Sequence, residues 1–92
     1  MKKTIWKFCL KTTDLQSVKM PKGAEILHVN SQFNNLKIWA LVDPEQEREE
    51  RFFEIFGTGH TVDMDADRKY LGTYQLHEGS LVFHVFERFD VL

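Results

Sequence analysis

The sequence has 92 residues and a mass of 10.9 kDa, which suits one domain, and its 42% hydrophobic and 28% charged residues exclude a wholly disordered chain. A formal net charge of -2 leaves no surplus of Lys and Arg for a phosphate backbone, so duplex nucleic acid is not an expected partner. No apolar run approaches the roughly 20 residues of a membrane span, and the first residues lead into a strand pattern. We therefore expect a single domain over residues 1–92, in the cytoplasm, without membrane contact.

The first half of the chain contains four segments that favour strands. Alternation predicts a strand over residues 4–11 that buries Trp6, Phe8 and Leu10, with Cys9 as a small buried residue. A short second strand over residues 17–20 ends at a Pro-Lys-Gly turn, and third and fourth strands follow over residues 24–31 and 36–42. Asn34 and Asn35 predict a tight hairpin between these two, because asparagine tolerates positive φ.

The second half begins with a charged segment, residues 43–51, which is either a helical turn started by Asp43 and Pro44 or a solvated loop. Strands are predicted over residues 52–56, 70–76 and 81–89. The last strand is apolar on both faces, so we expect it to be central in its sheet or to lie at a subunit interface. The fold class predicted is mainly β, a compact antiparallel β-sandwich or small barrel of about seven short strands with at most one short helix.

A glycine-rich segment after the fifth strand, Gly57-Thr58-Gly59-His60, is the most site-like feature of the sequence. Two glycines let a backbone approach a ligand closely and can present amide N–H groups to an anion. The segment lacks the spacing of a phosphate loop or a dinucleotide site. The alternative is a purely structural bend at the end of a strand.

Other residues complete the predicted ligand site. Arg68 and Lys69 are the nearest cations in sequence and would balance an anionic charge. Trp39 or Tyr74 would stack a planar ring, although the apolar neighbours of Trp39 favour a place in the core.

Metal binding and catalysis receive little support from the sequence. Asp63, Asp65 and Asp67 alternate as in a calcium loop, but the glycine and glutamate that such a loop requires are missing. The four histidines have no ligand spacing typical of zinc, and we expect His84 to be a hydrogen-bonded core or interface residue. No Ser, Thr or Cys has a recognisable nucleophile context, and the many carboxylates leave acid–base chemistry open. No cofactor or metal is expected.

Several segments spread over nearly the whole chain carry a family resemblance. The chain resembles a family of small bacteriophage and prophage proteins classed as a domain of unknown function, on segments 4–8, 20–24, 39–44, 56–60, 71–77 and 81–87. The resemblance implies a phage origin and supplies no catalytic residues. Small phage accessory proteins often bind a host molecule, and some sequester nucleotide immune signals as oligomers.

These observations lead to one predicted function and two alternatives. The prediction is a non-enzymatic, homo-oligomeric phage accessory protein that sequesters a small anionic, nucleotide-derived host ligand and so blunts host defence. The first alternative is a protein-interaction module that inhibits a host protein or aids phage assembly through an exposed aromatic surface. The second is a small nucleotide hydrolase.

Overall fold

A computed structural model describes residues 1–91 and shows a protein built almost entirely from antiparallel strands. The strands are Thr4–Cys9 (β1), Leu15–Pro21 (β2), Glu25–Gln32 (β3), Asn35–Val42 (β4), Arg48–Gly57 (β5), Arg68–Leu76 (β6) and Leu81–Arg88 (β7), and one turn of 3-10 helix spans His77–Gly79. They form a three-stranded sheet of order β1-β4-β3 and a four-stranded sheet of order β2-β5-β7-β6. The mainly β prediction with about seven strands is confirmed, and the two separate sheets make a sandwich.

The core lies between the two sheets and is supplied by alternate residues of the central strands. Strand β4 contributes its even-numbered residues, Leu36, Ile38, Ala40 and Val42. The four-stranded sheet contributes buried residues on the facing side, which include Phe53, Ile55, Tyr74 and Val85. The Cα trace is 16 Å thick along its shortest axis, as expected for two sheets about 10 Å apart. The period of two along each strand therefore places one face of each sheet in the core and the other in solvent.

Strand β7 lies between β5 and β6, which confirms that it is central in its sheet. Its register with both neighbours places Val85 opposite Ile55 and Gly72 on the buried face. Phe86 faces outward, opposite Glu54 and Tyr70. This strand therefore fixes two surfaces at once, the core and an apolar stripe on the outer face.

Strands β3 and β6 are edges of different sheets that pack side by side. A Cβ placed on Gly72 would lie 3.0 Å from Cβ of Val29, so glycine allows the two edges to approach closely. Further along, the Asn34 side chain accepts a hydrogen bond from the backbone N–H of His77 at 2.8 Å. The sandwich is thus closed on the β3–β6 side by direct packing.

An ionic clamp joins the sheets at one end of the core. Arg51 on β5 donates to both carboxylate oxygens of Glu87 on β7, one of them at 2.9 Å, and also to the carbonyl of Ala24 at 2.8 Å. Glu87 is 4% exposed, and the hydrogen bond to it raises the pKa of Arg51 above its ordinary value. The clamp keeps a buried carboxylate paired while it ties the start of β3 to the opposite sheet.

Three local predictions were wrong. Residues 43–47 of the charged segment form an exposed turn, in which Asp43 accepts from the N–H groups of Glu45 and Gln46, in agreement with the solvated-loop alternative. The last four residues of the segment, in contrast, extend β5 because they pair with β2. The β3–β4 hairpin turns one residue earlier than predicted, at Phe33 and Asn34, which both have positive φ. Cys9 is exposed, because its odd-numbered position on β1 faces solvent.

Within residues 1–91, no helix has both the length and the apolar character needed to cross a membrane.

Candidate functional site

The segment Gly57–His60 forms a tight turn at the end of β5, and each glycine has a structural reason. A Cβ on Gly57 would lie 3.0 Å from Cε1 of His60, so glycine leaves room for the imidazole that folds over it. Gly59 has a φ of +92°, a conformation that residues with a Cβ rarely adopt. The turn is the bend that the sequence allowed as an alternative to a ligand loop.

The backbone amides of this turn are largely used within the protein. The N–H of Gly57 donates to Nδ1 of His60 at 3.2 Å, and that of His60 donates to the carbonyl of Gly57 at 3.1 Å. The N–H of Thr58 donates to the carbonyl of Val82 at 3.3 Å. Three of the four amides expected to cradle an anion are therefore already satisfied.

An open depression of about 380 Å³ lies beside the turn. It is lined by Gly57, Thr58, His60, Ser80, Leu81, Val82 and Phe83. Neither Lys nor Arg contributes to this lining, so the depression offers an anion no fixed positive charge.

A chain of hydroxyl and imidazole groups runs outward from the turn across the four-stranded sheet. His84 bonds Oγ1 of Thr58 through Nε2 at 2.8 Å and Oγ1 of Thr73 through Nδ1 at 2.9 Å. Thr73 is bonded in turn to the hydroxyl of Tyr70 at 2.5 Å. Thr58 thus has a base beside it, but a neutral threonine stands where a nucleophilic triad has a carboxylate to orient and stabilise the imidazolium. As expected, His84 is hydrogen-bonded, here on the outer face of the sheet.

The two predicted cations lie on different parts of the four-stranded sheet. Arg68 donates to Glu54 at 2.9 Å and to the carbonyl of Asp63, and its guanidinium lies 5.5 Å from the ring centre of Phe56. Its side chain is 6% exposed, so the charge is already neutralised and covered. Lys69 is exposed and lines a separate depression of about 330 Å³ next to the clamp of Arg51 and Glu87.

The two predicted stacking residues are far from equivalent. Tyr74 is 1% exposed and its ring packs on Phe83 in the core, with its hydroxyl 2.8 Å from that of Thr12, so no ring face is free for a ligand. Trp39 lies on the outer face of the three-stranded sheet, which is a correction of the predicted place in the core. The reason is that β4 turns its even-numbered residues inward and Trp39 is odd-numbered. The structure therefore does not gather the eight predicted residues into one site.

The outer face of the three-stranded sheet carries a group of residues that the sequence analysis did not combine. We call it the basic face: Lys7, Cys9, His28, Asn30, Lys37 and Trp39, which pair across β1, β4 and β3. The His28 ring centre lies 5.9 Å from that of Trp39. The sequence signal for this face is that Lys7, Cys9, Lys37 and Trp39 are all odd-numbered residues of β1 and β4. Alternate residues of a strand point to the same side of its sheet.

The lysines of the basic face have no acidic partner. All four ion pairs within residues 1–91 use an arginine, namely Arg51, Arg68 or Arg88. Nζ of Lys7 donates to Gln32 at 2.7 Å and Nζ of Lys37 donates to Sγ of Cys9 at 2.9 Å. Both positive charges are therefore uncompensated on a protein whose formal net charge is -2.

No group of three or more His, Cys, Asp or Glu side chains in the described part of the chain is placed to hold a metal ion. The alternating aspartates instead shape a local turn, in which Asp63 accepts from the N–H of Asp65 at 2.9 Å.

Comparison with known proteins yields one match. No curated protein and no solved structure matches the chain. A family model matches residues 1–91 and is described as a domain of unknown function, DUF7352. The match covers nearly the whole chain, and the protein therefore belongs to this family.

Proposed function

We propose that the protein is a non-catalytic binding domain that holds an anionic ligand with a planar ring, such as a nucleotide, on the basic face. The observation that carries the proposal is that Trp39 lies on an outer sheet face beside two lysines without carboxylate partners. Aromatic rings that stack bases, combined with cations that contact phosphate, are the recurring design of nucleotide-binding surfaces. The ligand class is the one predicted from the sequence, and the site is a different one.

The register of the three-stranded sheet brings stacking and charge within reach of one small ligand. Lys7 lies directly across from Trp39, a pairing in which Cβ atoms are about 5 Å apart. Lys37 lies two residues along the same strand as Trp39, about 7 Å away. A ring stacked on the indole would thus have two ammonium groups nearby, both towards the β3–β4 hairpin, where Lys7 contacts Gln32 and Lys37 contacts Cys9.

The residues of β3 place no carboxylate directly across from Lys37 or Trp39. Asn30 lies across from Lys37, and His28 lies across from Trp39 and extends the aromatic platform. The acidic residue of β3 on the same side, Glu25, pairs with Leu41, beyond Trp39 from Lys37. An anion therefore meets attraction from Lys7 and Lys37, and a ring meets Trp39 and His28.

The other predicted functions draw less support from the geometry. The satisfied amides of the Gly57–His60 turn and the neutralised Arg68 disfavour an anion site there. The hydroxyl–imidazole chain lacks the carboxylate that would favour hydrolysis. Sequestration of a host signal by a phage protein remains the biological context that we propose for ligand binding.

The experiment that tests the proposal compares ATP with inorganic tripolyphosphate, which carries the charge without the ring, by calorimetric titration. We expect ATP to bind more tightly, and Trp39→Leu to weaken ATP binding about tenfold, because base stacking contributes about 1–3 kcal/mol. Lys37→Glu should weaken the binding of both ligands. Lys19→Glu, the same charge change on an exposed lysine of β2, is the matched control.

The two ligands binding equally well would argue against stacking on Trp39. An equal loss with Lys19→Glu and Lys37→Glu would show only a response to net charge, and would overturn the proposed site. Thermal unfolding of each variant verifies that the fold is intact, which is expected because the changed side chains point away from the core.

A further inference from the structure

The outer face of the four-stranded sheet has a composition unlike that of an ordinary solvent face. We call it the aromatic face: Phe52, Phe56, Tyr70 and Phe86 around the charged residues Glu54, Arg68 and Arg88. Phe86 packs edge-on against Phe56 and Tyr70, with ring centres 5.6 and 5.5 Å apart. Aromatic residues and arginine are the types enriched at protein interfaces, whereas lysine and glutamate are depleted there.

The charges of this face are neutralised within it. The Glu54 carboxylate accepts from Arg68 and from Arg88, each at 2.9 Å, and Asp90 accepts from Arg88 at 2.5 Å. Two acids thus balance two arginines. Glu54 is 8% exposed although it points outward, because the two guanidinium groups and the aromatic rings cover it.

The uncharged polar groups of the face are also paired already. Tyr70, Thr73, His84 and Thr58 bond one another in a continuous chain. A surface that covered this face would therefore leave few of these groups without a partner, and an unpaired buried polar group costs about 1–3 kcal/mol. The face is suited to burial under an apolar, neutral surface.

We infer that the aromatic face binds a second copy of the chain. Copies of a neutral face can meet around a two-fold axis without the repulsion that a charged face would produce, and the aromatic centre supplies the same apolar surface on both sides. Strand β7, which is apolar on both faces, then buries one face in the core and the other in the dimer. The basic faces are left on the outside of the dimer.

The size of the face sets the strength of the dimer. Four strands about 4.8 Å apart and six residues at about 3.3 Å each give a face of about 400 Å² per copy in projection. A standard interface buries about 800 Å² per partner, so the contact should be weak and concentration dependent. The assay must therefore reach high protein concentration.

The test is sedimentation equilibrium of the whole chain from about 10 μM to about 1 mM, which brackets a weak dimer. The variants are Leu15→Glu and Tyr70→Glu. Tyr70 is 53% exposed on the edge strand β6, and Leu15, 47% exposed on the edge strand β2, faces the same side because it pairs with Glu54. We expect wild type to dimerise, and each variant to raise the dissociation constant at least tenfold. Ile5→Glu, at a residue 57% exposed on the opposite outer face, is the matched control and should leave the dimer unchanged.

Wild type that is monomeric over the whole range would overturn the inference, as would an equal effect of Ile5→Glu. Assembly into species larger than a dimer would contradict the two-fold arrangement. The inference does not depend on ligand binding, because Trp39→Leu alters the other sheet and should leave the sedimentation of the protein unchanged.

Discussion

Replacing Glu87 by Gln should destabilise the protein strongly, because the change keeps the shape of the side chain and removes the charge of the clamp. Arg51 would exchange two charge-assisted hydrogen bonds, each contributing about 1.5–3 kcal/mol, for one to a neutral amide oxygen. Its side chain, 18% exposed, would keep the carbonyl of Ala24 as a partner but would have no carboxylate paired with it. Breaking a buried ion pair from one side costs about 3–5 kcal/mol, and the partial exposure of Arg51 places the expected loss near about 3 kcal/mol.

Thermal and urea unfolding measure this loss. For a domain of this size about 1 kcal/mol shifts Tm by about 4–8 °C, so Glu87→Gln should lower Tm by about 12–24 °C. The double variant Arg51→Met/Glu87→Leu removes both charges and should recover most of the stability, because no buried charge is left unpaired. A loss below about 1 kcal/mol in Glu87→Gln, or a double variant less stable than the single one, would refute the account of the clamp.

Further predictions concern four positions on turns, edges and the core. Phe33 is 88% exposed at a φ of +52°, so Phe33→Asn should raise the unfolding free energy by about 1 kcal/mol in urea titrations. Gly72→Ala should cost about 1–3 kcal/mol because its Cβ would meet Val29, and Val29→Ala in the same chain should recover part of that loss. Gly59→Val should lower the free energy of unfolding by about 1–2 kcal/mol through strain at positive φ, and should leave ATP affinity unchanged. A loss of ATP affinity with an intact fold would instead indicate that the ligand binds at the Gly57–His60 turn. Burial raises the pKa of Tyr74, and the hydrogen bond with Thr12 partly opposes this shift. Above about pH 10 the unfolded state therefore binds fewer protons than the folded state, and the free energy of unfolding falls. Tyr74→Phe should reduce this alkaline loss of stability, measured by urea unfolding.

The strands could be predicted because their signals are local. Alternation in β1 identified the buried Leu10 and the core-facing Trp6 and Phe8, and the two apolar faces of β7 indicated its central place. The length of β5 was missed because Arg48–Arg51 look like a solvated run. Their strand conformation comes from pairing with β2 and from the clamp to Glu87, both contacts between residues distant in sequence.

The candidate site was harder to predict, since residue type says little about which face a side chain occupies. Tyr74 and Trp39 are both aromatic, yet one is in the core and the other is on an outer face. Trp39 is odd-numbered and faces outward, whereas Ile38 and Ala40 are even-numbered and buried. The sequence did not show this difference, because all five residues from 38 to 42 are apolar. The partners of Trp39 on β1 and β3 depend on strand order, which the sequence does not reveal.

The most direct test of the central claim is a titration of ¹⁵N-labelled protein with ATP, followed by amide and indole chemical shifts in NMR spectra. We predict that the largest changes fall on the Trp39 indole and on amides of β1, β3 and β4, and that they vanish in Trp39→Leu. Changes confined to Gly57–His60, or no change at millimolar ATP, would contradict the assignment of ligand binding to the basic face.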